Sequence, residues 1–375
     1  MRNVFRAALC ICLLASTVAQ AAQRKPVMGV WIRLDEMAGK GPQEICDVLL
    51  NYSVGAVFML VPLPPTQEEM DTLKGLRSRL PPEVEVHAWL AVYSNARYLE
   101  SDPQEEFQST NGSVIKGWVN PTSTSYRIQL VEWVQQIAAE LEPNGIFLDY
   151  FYVPFGPFDN ETLRGFSSSI SINVSASTLT SSEYLLSKFL EWRNGKILET
   201  LKAIKRVTDA RGLRLSVFIR MVEESERLAS GQDVGRLAEL ADFLVPNSYH
   251  RLVGRDAGWV GVCVQALKAE GAKGVWAGIQ GYDITPLEVN RAVASAVEFG
   301  ADGVVLFRFG TMTPQHWEQA RLGLSRRPNL YTWAIPIAGL IAAAGIGFYF
   351  LTRRKRKAAG ARREKEKKRK PARRR

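Results

Sequence analysis

The fold of this chain is indicated most clearly by residues 144–154, Asn144-Gly-Ile-Phe-Leu-Asp-Tyr-Phe-Tyr-Val-Pro154. Gly145–Asp149 is a short apolar run that follows an Asn-Gly turn, as expected for a buried strand that starts where a helix has ended. The run stops on Asp149, and aromatic residues come next. Because burying a charge at the end of an apolar strand is costly without a partner or a purpose, Asp149 is the strongest single candidate for a functional residue.

Similar apolar runs recur along the chain, and five of the intervals between their first residues are 28 to 31 residues long. Helical apolar patterns, as in residues 128–141 and 289–297, fill the gaps. Strands that alternate with helices predict parallel pairing, and a closed (β/α)8 TIM barrel pairs all of them. A doubly wound sheet is the alternative, which the lack of a Gly-rich phosphate loop after the first strand disfavours. The remaining predicted strands are Val27–Ile32, Ala56–Val61, Val84–Val92, Leu213–Ile219, Phe243–Asn247, Gly274–Ile279 and Gly303–Phe307.

The N-terminal end of the chain has the sequence features of an export signal, and the C-terminal end has those of a membrane anchor. Residues 1–21 have a basic start, an apolar run and a small-residue cleavage site, which predicts a signal peptide rather than an uncleaved anchor. Trp333–Leu351 is 19 residues without a charge, long enough for one transmembrane helix. The basic tail, residues 352–375, then predicts a cytoplasmic end that touches anionic lipid, and a cell-membrane protein whose barrel, residues 22–326, lies outside.

Composition narrows the class of protein further. A hydrophobic fraction of 46% and a charged fraction of 23% exclude a disordered chain and a multi-span membrane protein. The net charge is +10, but residues 353–375 alone hold 15 Lys and Arg against two Glu. The body is therefore mildly acidic, and no nucleic-acid partner is predicted. No cofactor or metal site is predicted either, since the three His residues are scattered; Cys46 and Cys263 are expected to be buried free thiols.

Two connections are longer than the repeat requires. Residues 93–122 follow the third strand and residues 150–183 follow the fourth, so both form long loops at the end where barrel enzymes place their sites. Residues 159–182 are rich in Ser and show no apolar period, which predicts a mobile segment. Glycosylation sequons, which predict a glycoprotein, begin at Asn51, Asn111, Asn160 and Asn173.

The predicted strand ends are rich in carboxylates, aromatics and amides, the mixture that sugars require. Cleavage of a glycosidic bond uses two carboxyl groups, with one as acid and the other as nucleophile or base. With Asp149 as nucleophile or base, Glu223 or Glu224 is the first choice for its partner, followed by Asp283 and Asp35. The alternative is that Asp149 forms an ion pair with Arg220 or Arg33 and only closes the barrel end.

Other polar and aromatic residues near the strand ends are candidates for sugar binding. Trp118 and Tyr152 are predicted to stack on sugar rings, and Trp89 is as well explained by core packing. Hydroxyl groups of the sugar are predicted to bind Asn247, Tyr249, Gln280 and Arg308. The full set predicted to contact substrate is Arg33, Asp35, Trp118, Asn120, Tyr152, Asn247, Tyr249, Gln280 and Arg308.

Two motifs give the chain a family resemblance. Gly117-Trp-Val-Asn-Pro121 precedes a predicted helix, and the Asn144–Pro154 stretch follows it. Together they resemble the glycoside-hydrolase-like TIM barrels, whose fourth strand ends in a DGIxxDYxxxP-type motif. The resemblance covers about residues 27–322 and implies a barrel related to the alpha-amylase and alpha-galactosidase-like hydrolases, with Asp149 as the strand-four catalytic carboxylate. Here Asn144 stands where Asp is usual and strand five ends in Arg220, so the motif supplies no second carboxylate.

Two functions follow as hypotheses. The first is a membrane-anchored, outward-facing glycoside hydrolase that cleaves O-glycosidic bonds of a polysaccharide or glycoconjugate. The second is a non-catalytic barrel that binds glycan or organises the cell envelope. A second acid about 5–9.5 Å from Asp149 would favour the enzyme, and an Asp149–Arg ion pair would favour the binder.

Overall fold

The computed structural model describes residues 25–109 and 111–326, and it contains a ring of parallel strands surrounded by helices. The sheet order is β8-β7-β6-β3-β2-β1-β10-β9, and bridges from Leu244 to Val275 and from Asn247 to Gly278 nearly close it. The predicted TIM-like barrel is confirmed, and the doubly wound sheet is wrong because the two outer strands meet. The barrel strands are β1 (Val27–Ile32), β2 (Ala56–Leu60), β3 (Glu85–Ala91), β6 (Gly145–Asp149), β7 (Arg214–Ile219), β8 (Phe243–Pro246), β9 (Trp276–Gln280) and β10 (Gly303–Phe307).

Helices follow the strands and cover the outside of the ring. Several of them begin at a capping residue, as at Thr66 and Thr285. Each Thr side chain accepts a hydrogen bond from a backbone N–H, and the Glu three residues later accepts one from the backbone N–H of the Thr. The helices are α1 (Leu34–Gly39), α2 (Pro42–Asn51), α3 (Gln67–Arg77), α4 (Ala96–Ser101), α5 (Thr124–Glu140), α6 (Asn160–Ile170), α7 (Ala176–Thr180), α8 (Glu183–Ala210), α9 (Glu224–Ala229), α10 (Val234–Leu240), α11 (Trp259–Ala269), α12 (Pro286–Glu298) and α13 (Pro314–Leu324).

The core has two layers because successive strand residues point to opposite faces. Outward-facing aliphatic side chains, such as Val30, Val57 and Val304, pack against the helices. Inward-facing side chains form a separate cluster that is mostly aromatic, and it fills the barrel rather than leaving a pore. This inner cluster comprises Trp31, Ala56, Phe58, Trp89, Phe147, Phe218, Phe243, Val245, Trp276 and Val305.

The long connection after β3 contains a hairpin that the sequence did not predict. Its strands are β4 (Glu106–Gln108) and β5 (Val114–Val119), which pair in antiparallel fashion. Backbone hydrogen bonds from Asn95 to Gly117 and from Val119 to Tyr93 fix β5 to the chain that leaves β3. The hairpin therefore stands at the end of the barrel where the strands stop, which we call the mouth.

The connection after β6 is also more ordered than its composition indicates. Residues 159–182 contain α6 and α7, so the expectation of a segment without apolar period is wrong. The polar residues Asp159, Ser175 and Ser182 cap the helices, while the apolar residues between them meet in one cluster. That cluster consists of Phe158, Leu163, Phe166, Val174, Leu179 and Phe189.

Several sequence predictions fall beyond the part of the chain that the structure describes. The signal peptide (residues 1–21), the transmembrane helix (333–351) and the basic tail (352–375) lie outside the described residues and stay predictions. Among the residues described, no helix has the length and apolar character to cross a membrane. Cys46 and Cys263 are buried and free, as predicted. The four sequon asparagines are exposed, and their glycosylation stays a prediction.

Candidate active site

Asp149 is the last residue of β6 and points into the barrel mouth. Gly145 and Phe147 face the interior, where Gly145 lies against His87, and Asp149 follows with the same parity. Its carboxylate accepts hydrogen bonds from Trp89 Nε1 at 2.9 Å and from the Tyr150 backbone N–H at 2.7 Å. Burial raises the pKa of Asp149 to about 6 although both hydrogen bonds act to lower it.

No cation within the described residues pairs with Asp149. Arg220 instead binds Glu226 at 2.7 Å, with its guanidinium 5.1 Å from the centre of the Tyr152 ring. Arg33 binds Asp35 at 3.1 Å. The ion-pair alternative for Asp149 is therefore wrong: both arginines that the sequence offered have other carboxylate partners.

An aromatic floor lies beneath the carboxylate. Trp31 stands at its centre, with ring centroids 5.9 Å from Phe147, 6.4 Å from Trp89 and 5.7 Å from Phe307. These rings exclude water from the barrel interior, which accounts for the desolvation of the carboxylate. Asp149 thus stands where an apolar interior meets the open mouth.

Aromatic side chains also form one side of the mouth. The Trp118 ring lies 6.0 Å from Tyr150 and 5.5 Å from Tyr152, and the two tyrosines stack at 5.8 Å. We call Trp118, Tyr150 and Tyr152 the aromatic wall. The β4–β5 hairpin carries Trp118 and the chain after Asp149 carries the tyrosines, so the two long connections build the wall together.

The charge of Asp149 affects the pKa of one tyrosine in the aromatic wall, Tyr152, and of another on the opposite side of the mouth, Tyr249. Burial raises the pKa of Tyr152 to about 12, and the negative charge of Asp149 adds to the effect. Burial raises the pKa of Tyr249 well above its usual range, again with a contribution from Asp149. The Tyr249 ring packs 5.6 Å from Phe307. The predicted candidates Asp149, Trp118, Tyr152 and Tyr249 are therefore brought together at the mouth.

Two predicted amide residues extend the inward-facing layer. Val245 faces the barrel interior and Asn247 follows it in phase, as Gln280 follows Gly278 on the next strand. Asn247 Oδ1 and Gln280 Oε1 are buried and accept no hydrogen bond from the described residues. One buried donor, Trp31 Nε1, likewise has no acceptor among these residues. Buried polar atoms are rarely left unpaired, so these three atoms fit a ligand that both donates and accepts.

Three other predicted residues form a charged cluster between the ends of β1 and β10. Asp35 lies 3.1 Å from Arg33 and 3.8 Å from Arg308. Glu36, which the sequence analysis missed, accepts hydrogen bonds from the backbone N–H groups of Arg33 at 2.9 Å and Gly310 at 2.7 Å. Its position three residues into a helix was the available signal for such a cap. Glu36 thereby joins the two strand ends.

The predicted partner acids do not meet Asp149. Glu223, Glu224 and Asp283 are exposed, and within the described residues none has a hydrogen bond or ion pair with Asp149. Glu224 lines a cavity with Arg227 and Glu270. A second catalytic carboxylate therefore is not assembled around Asp149 in this conformation.

Asn120 is in an internal clamp and not in the mouth. Its Nδ2 donates to Asp159 Oδ2 and Thr162 Oγ1, both at 2.9 Å, and its Oδ1 accepts from the Thr122 backbone and hydroxyl at 2.8 Å. All of its polar atoms are thus used inside the protein. We assign Asn120 to holding the hairpin against α6, in place of the predicted substrate contact.

Two further residues position parts of the site, and the sequence analysis assigned that role to neither of them. Trp89 holds the Asp149 carboxylate, and the two-residue period of β3 was enough to place its ring inside the barrel. Buried Gln232 donates to the Phe218 carbonyl at 2.7 Å and accepts from the Arg220 N–H at 2.9 Å. No local sequence pattern predicts this role of Gln232. Among the residues that the structure describes, no group of His, Cys, Asp or Glu is arranged to hold a metal ion.

Comparisons with known proteins give structural relatives only. No protein-family model and no curated protein matches the chain. The PgaB (BpsB) glycoside hydrolase domain from Bordetella bronchiseptica is similar at a TM-score of 0.64 and 14% identity, over 78% of this chain and 95% of that one. The chitinase from Chromobacterium violaceum ATCC 12472 has a TM-score of 0.50 and 14% identity, over 80% of this chain and 100% of that one.

A third similar structure belongs to a larger protein. Alpha-L-fucosidase isoenzyme 2 from Paenibacillus thiaminolyticus has a TM-score of 0.59 and 12% identity, over 80% of this chain and 49% of that one. At such identities the likeness is one of fold. What the chain shares with these three structures is therefore the barrel fold.

Proposed function

We propose that this protein is a glycoside hydrolase whose central catalytic residue is Asp149. The observation that carries the proposal is an inward-facing carboxylate that has no cationic partner among residues 25–109 and 111–326 and lies between an aromatic floor and an aromatic wall. An ion-paired carboxylate would have a structural role, whereas a desolvated one with a pKa of about 6 is suited to proton transfer near neutral pH.

The substrate class proposed is a polysaccharide or glycoconjugate. Flat sugar faces would stack on Trp118 and Tyr152, as aromatic side chains provide apolar area with a fixed orientation. Sugar hydroxyls both donate and accept, so they match the buried oxygens of Asn247 and Gln280 and the buried N–H of Trp31, which have no partner among the described residues. The solved neighbours, which are named as a glycoside hydrolase domain, a chitinase and a fucosidase, agree with this class.

In the proposed mechanism, Asp149 exchanges a proton with the reacting glycosidic centre. The bond between the anomeric carbon and the leaving oxygen breaks through an oxocarbenium-like state, and that oxygen takes the proton of the Asp149 carboxyl. A water molecule adds to the anomeric carbon, and the proton that this water loses restores the protonated carboxyl. A pKa of about 6 lets the carboxyl both give and accept a proton near neutral pH, which favours an acid/base role over that of a permanently ionised nucleophile. The second catalytic group would come from Glu223, Glu224, Asp283 or Asp35 after substrate orders their loops.

We also propose that the protein works at the cell surface. The predicted signal peptide and transmembrane helix would place the barrel outside a membrane, and the basic tail would bind anionic lipid on the cytoplasmic side. Protease added to intact cells would then remove the barrel and spare the tail. Protection of the barrel would contradict this orientation.

An assay of glycan turnover distinguishes the proposed hydrolase from the alternative, a non-catalytic glycan-binding barrel. The purified full chain in detergent micelles is incubated with a panel of glycans, and new reducing ends and glycan binding are measured together. The hydrolase predicts reducing ends from at least one bound glycan. Binding without cleavage across the panel would replace it with the non-catalytic glycan-binding barrel, which the exposed positions of the predicted partner acids favour.

A further inference from the structure

A buried arginine on α8 holds two of the connections that leave the barrel strands at the mouth. Arg193 is fully buried. Its Nη1 donates to the carbonyl of Gly156 at 2.7 Å, in the connection after β6, and its Nη2 donates to the carbonyl of Ala229 at 2.8 Å, in the connection after β7. We propose that Arg193 is a positioning residue, which joins the two connections into one unit and so fixes the tyrosines of the aromatic wall relative to the segment that carries Glu223 and Glu224.

The charge of Arg193 indicates that this side chain does more than fill space. Among the residues that the structure describes, no carboxylate pairs with its guanidinium, whose partners are the two carbonyls and Asn194 Oδ1. Burial lowers the pKa of Arg193 to about 10, because a charge held away from water is costly. An apolar side chain of similar size would avoid this cost. We therefore attribute the arginine to its hydrogen bonds with the two carbonyls, which its charge strengthens.

Further hydrogen bonds join the same two connections. Asn194, the next residue of α8, donates from Nδ2 to the carbonyl of Leu228 at 2.8 Å and accepts from Arg193 at 2.9 Å. The backbone N–H of Val153 donates directly to the carbonyl of Ser230 at 2.9 Å. Consecutive carbonyls of the connection after β7 are thus bound by α8 or by the connection after β6. The two connections therefore separate only if several hydrogen bonds are lost together.

Each connection also has a glycine where its backbone lies against a neighbouring element. Gly156 has a φ of 137°, and a Cβ there would lie 2.8 Å from the Phe107 ring of β4. Gly231 has a φ of 95°, and a Cβ there would collide with Ile197 of α8. A side chain at either position would be strained by both the φ and the contact. The connection after β6 therefore lies between the hairpin and α8, and the connection after β7 lies directly on α8.

These contacts place the proposed catalytic groups on one assembly. The tyrosines of the aromatic wall precede Gly156 in the first connection, and Glu223 and Glu224 precede Ala229 in the second. The spacing between the wall and these acids is therefore set in part by α8. A displacement of about 1 Å at a reacting group can cost about 10²-fold in rate. This catalytic consequence rests on the proposed function, whereas the coupling of the two connections does not.

The test measures the separation of the two connections without any ligand. Nitroxide labels are attached at exposed positions, one in each connection, through Phe155→Cys and Ser225→Cys. The full chain is used in detergent micelles, with its four native cysteines replaced by alanine. Double electron–electron resonance then gives the distribution of distances between the labels. We expect a narrow distribution with Arg193 present and one at least about twofold broader in Arg193→Met, because two buried carbonyls lose their donor.

Arg127→Met is the matched control for this test. Arg127 binds Glu199 of α8 at 2.8 Å, so the substitution removes a guanidinium that packs on the same helix but does not join the two connections. It should leave the distance distribution unchanged. The spectra are compared only for variants whose circular dichroism matches that of the wild type, so a loss of stability alone does not alter the result.

Asn194→Ala keeps the proposal testable if Arg193→Met does not fold. It removes the hydrogen bond to the Leu228 carbonyl, keeps the charge of Arg193, and should also broaden the distribution. An unchanged distribution in folded Arg193→Met, or in Asn194→Ala where Arg193→Met does not fold, would overturn the proposal. Equal broadening in Arg127→Met would also overturn it, because it would show a general loosening around α8. Since no glycan is used, the result does not depend on whether the proposed hydrolase is correct.

Discussion

The indole Nε1 of Trp89 donates a hydrogen bond of 2.9 Å to Oδ2 of Asp149. The two residues belong to neighbouring strands, because β3 pairs with β6 in a register that sets Ala91 opposite Asp149. The donor orients the carboxylate and favours its charged form, while burial favours the neutral form. The pKa of about 6 is the result of these opposed effects.

Replacing Trp89 by Phe should raise the pKa of Asp149 above about 6, because the charged form loses a hydrogen-bond donor. The measurement is a titration of the Asp149 carboxyl by carbon-detected NMR. Trp276→Phe is the matched control, since Trp276 stacks on Phe243 at 5.0 Å and has no bond to Asp149. An unchanged pKa in Trp89→Phe would show that the bond is not formed in solution.

The raised pKa of Asp149 also makes a prediction for stability. The folded pKa of about 6 exceeds the ordinary value of 3.8, so the carboxyl favours folding below that ordinary value and loses this contribution as pH rises through about 6. Asp149→Asn should therefore unfold at a higher temperature than the wild type at pH above 7. The gain is at most about 3 kcal/mol and should shrink towards pH 4.

Thermal unfolding at several pH values measures this effect, and exposed Asp47→Asn controls for the amide substitution itself. A loss of stability in Asp149→Asn at neutral pH would instead show that the hydrogen bonds from Trp89 and the Tyr150 N–H outweigh the cost of burying the charge.

Trp118 should contribute directly to glycan affinity. Trp118→Ala removes one member of the aromatic wall, and aromatic stacking is worth about 0.5–1.5 kcal/mol, which corresponds to roughly a two- to tenfold weaker Kd. Tyr184→Ala is the control, because Tyr184 is 69% exposed. The comparison uses whichever glycan the screen identifies. Equal losses of glycan affinity in Trp118→Ala and Tyr184→Ala would show that the aromatic wall is not part of the binding site.

The α6–α7 segment should be stably folded. Phe166 is fully buried in its cluster and packs 5.4 Å from Phe189. Phe166→Ala should cost about 3–5 kcal/mol and speed amide hydrogen exchange across residues 159–182. If amide hydrogen exchange in α6 of the wild-type protein is as fast as in an unstructured peptide, the segment is mobile, as its composition predicts.

The sequence was most informative where local chemistry repeats. Predicted strands such as Gly145–Asp149 and Gly303–Phe307 have the bounds found in the structure, since a Gly turn marks each start and the apolar run is as long as the strand. Asp149 was identifiable because a charge ended an apolar run. The second catalytic carboxylate could not be identified in this way. The directions in which Glu223 and Glu224 point depend on contacts with distant segments, such as the hydrogen bonds of Gln232.

Asn120 shows a different limit of sequence reasoning. Its Trp-x-Asn-Pro context resembles a functional motif, yet its amide binds Asp159 and Thr162, about forty residues further along the chain. A side chain's hydrogen-bond partners decide whether it is free to bind substrate, and those partners come from the folded chain. For the same reason, the Ser-rich composition of residues 159–182 predicts mobility, whereas in the structure Ser175 and Ser182 cap helices.

The most direct test of the account is the turnover rate of Asp149→Asn, measured together with its affinity for the same glycan. The substitution keeps the size of the side chain and removes its charge and its proton. We predict that kcat falls by about 10²–10⁴-fold while Kd changes by less than about threefold. Wild-type kcat in Asp149→Asn would contradict the assignment of Asp149 as the catalytic carboxylate.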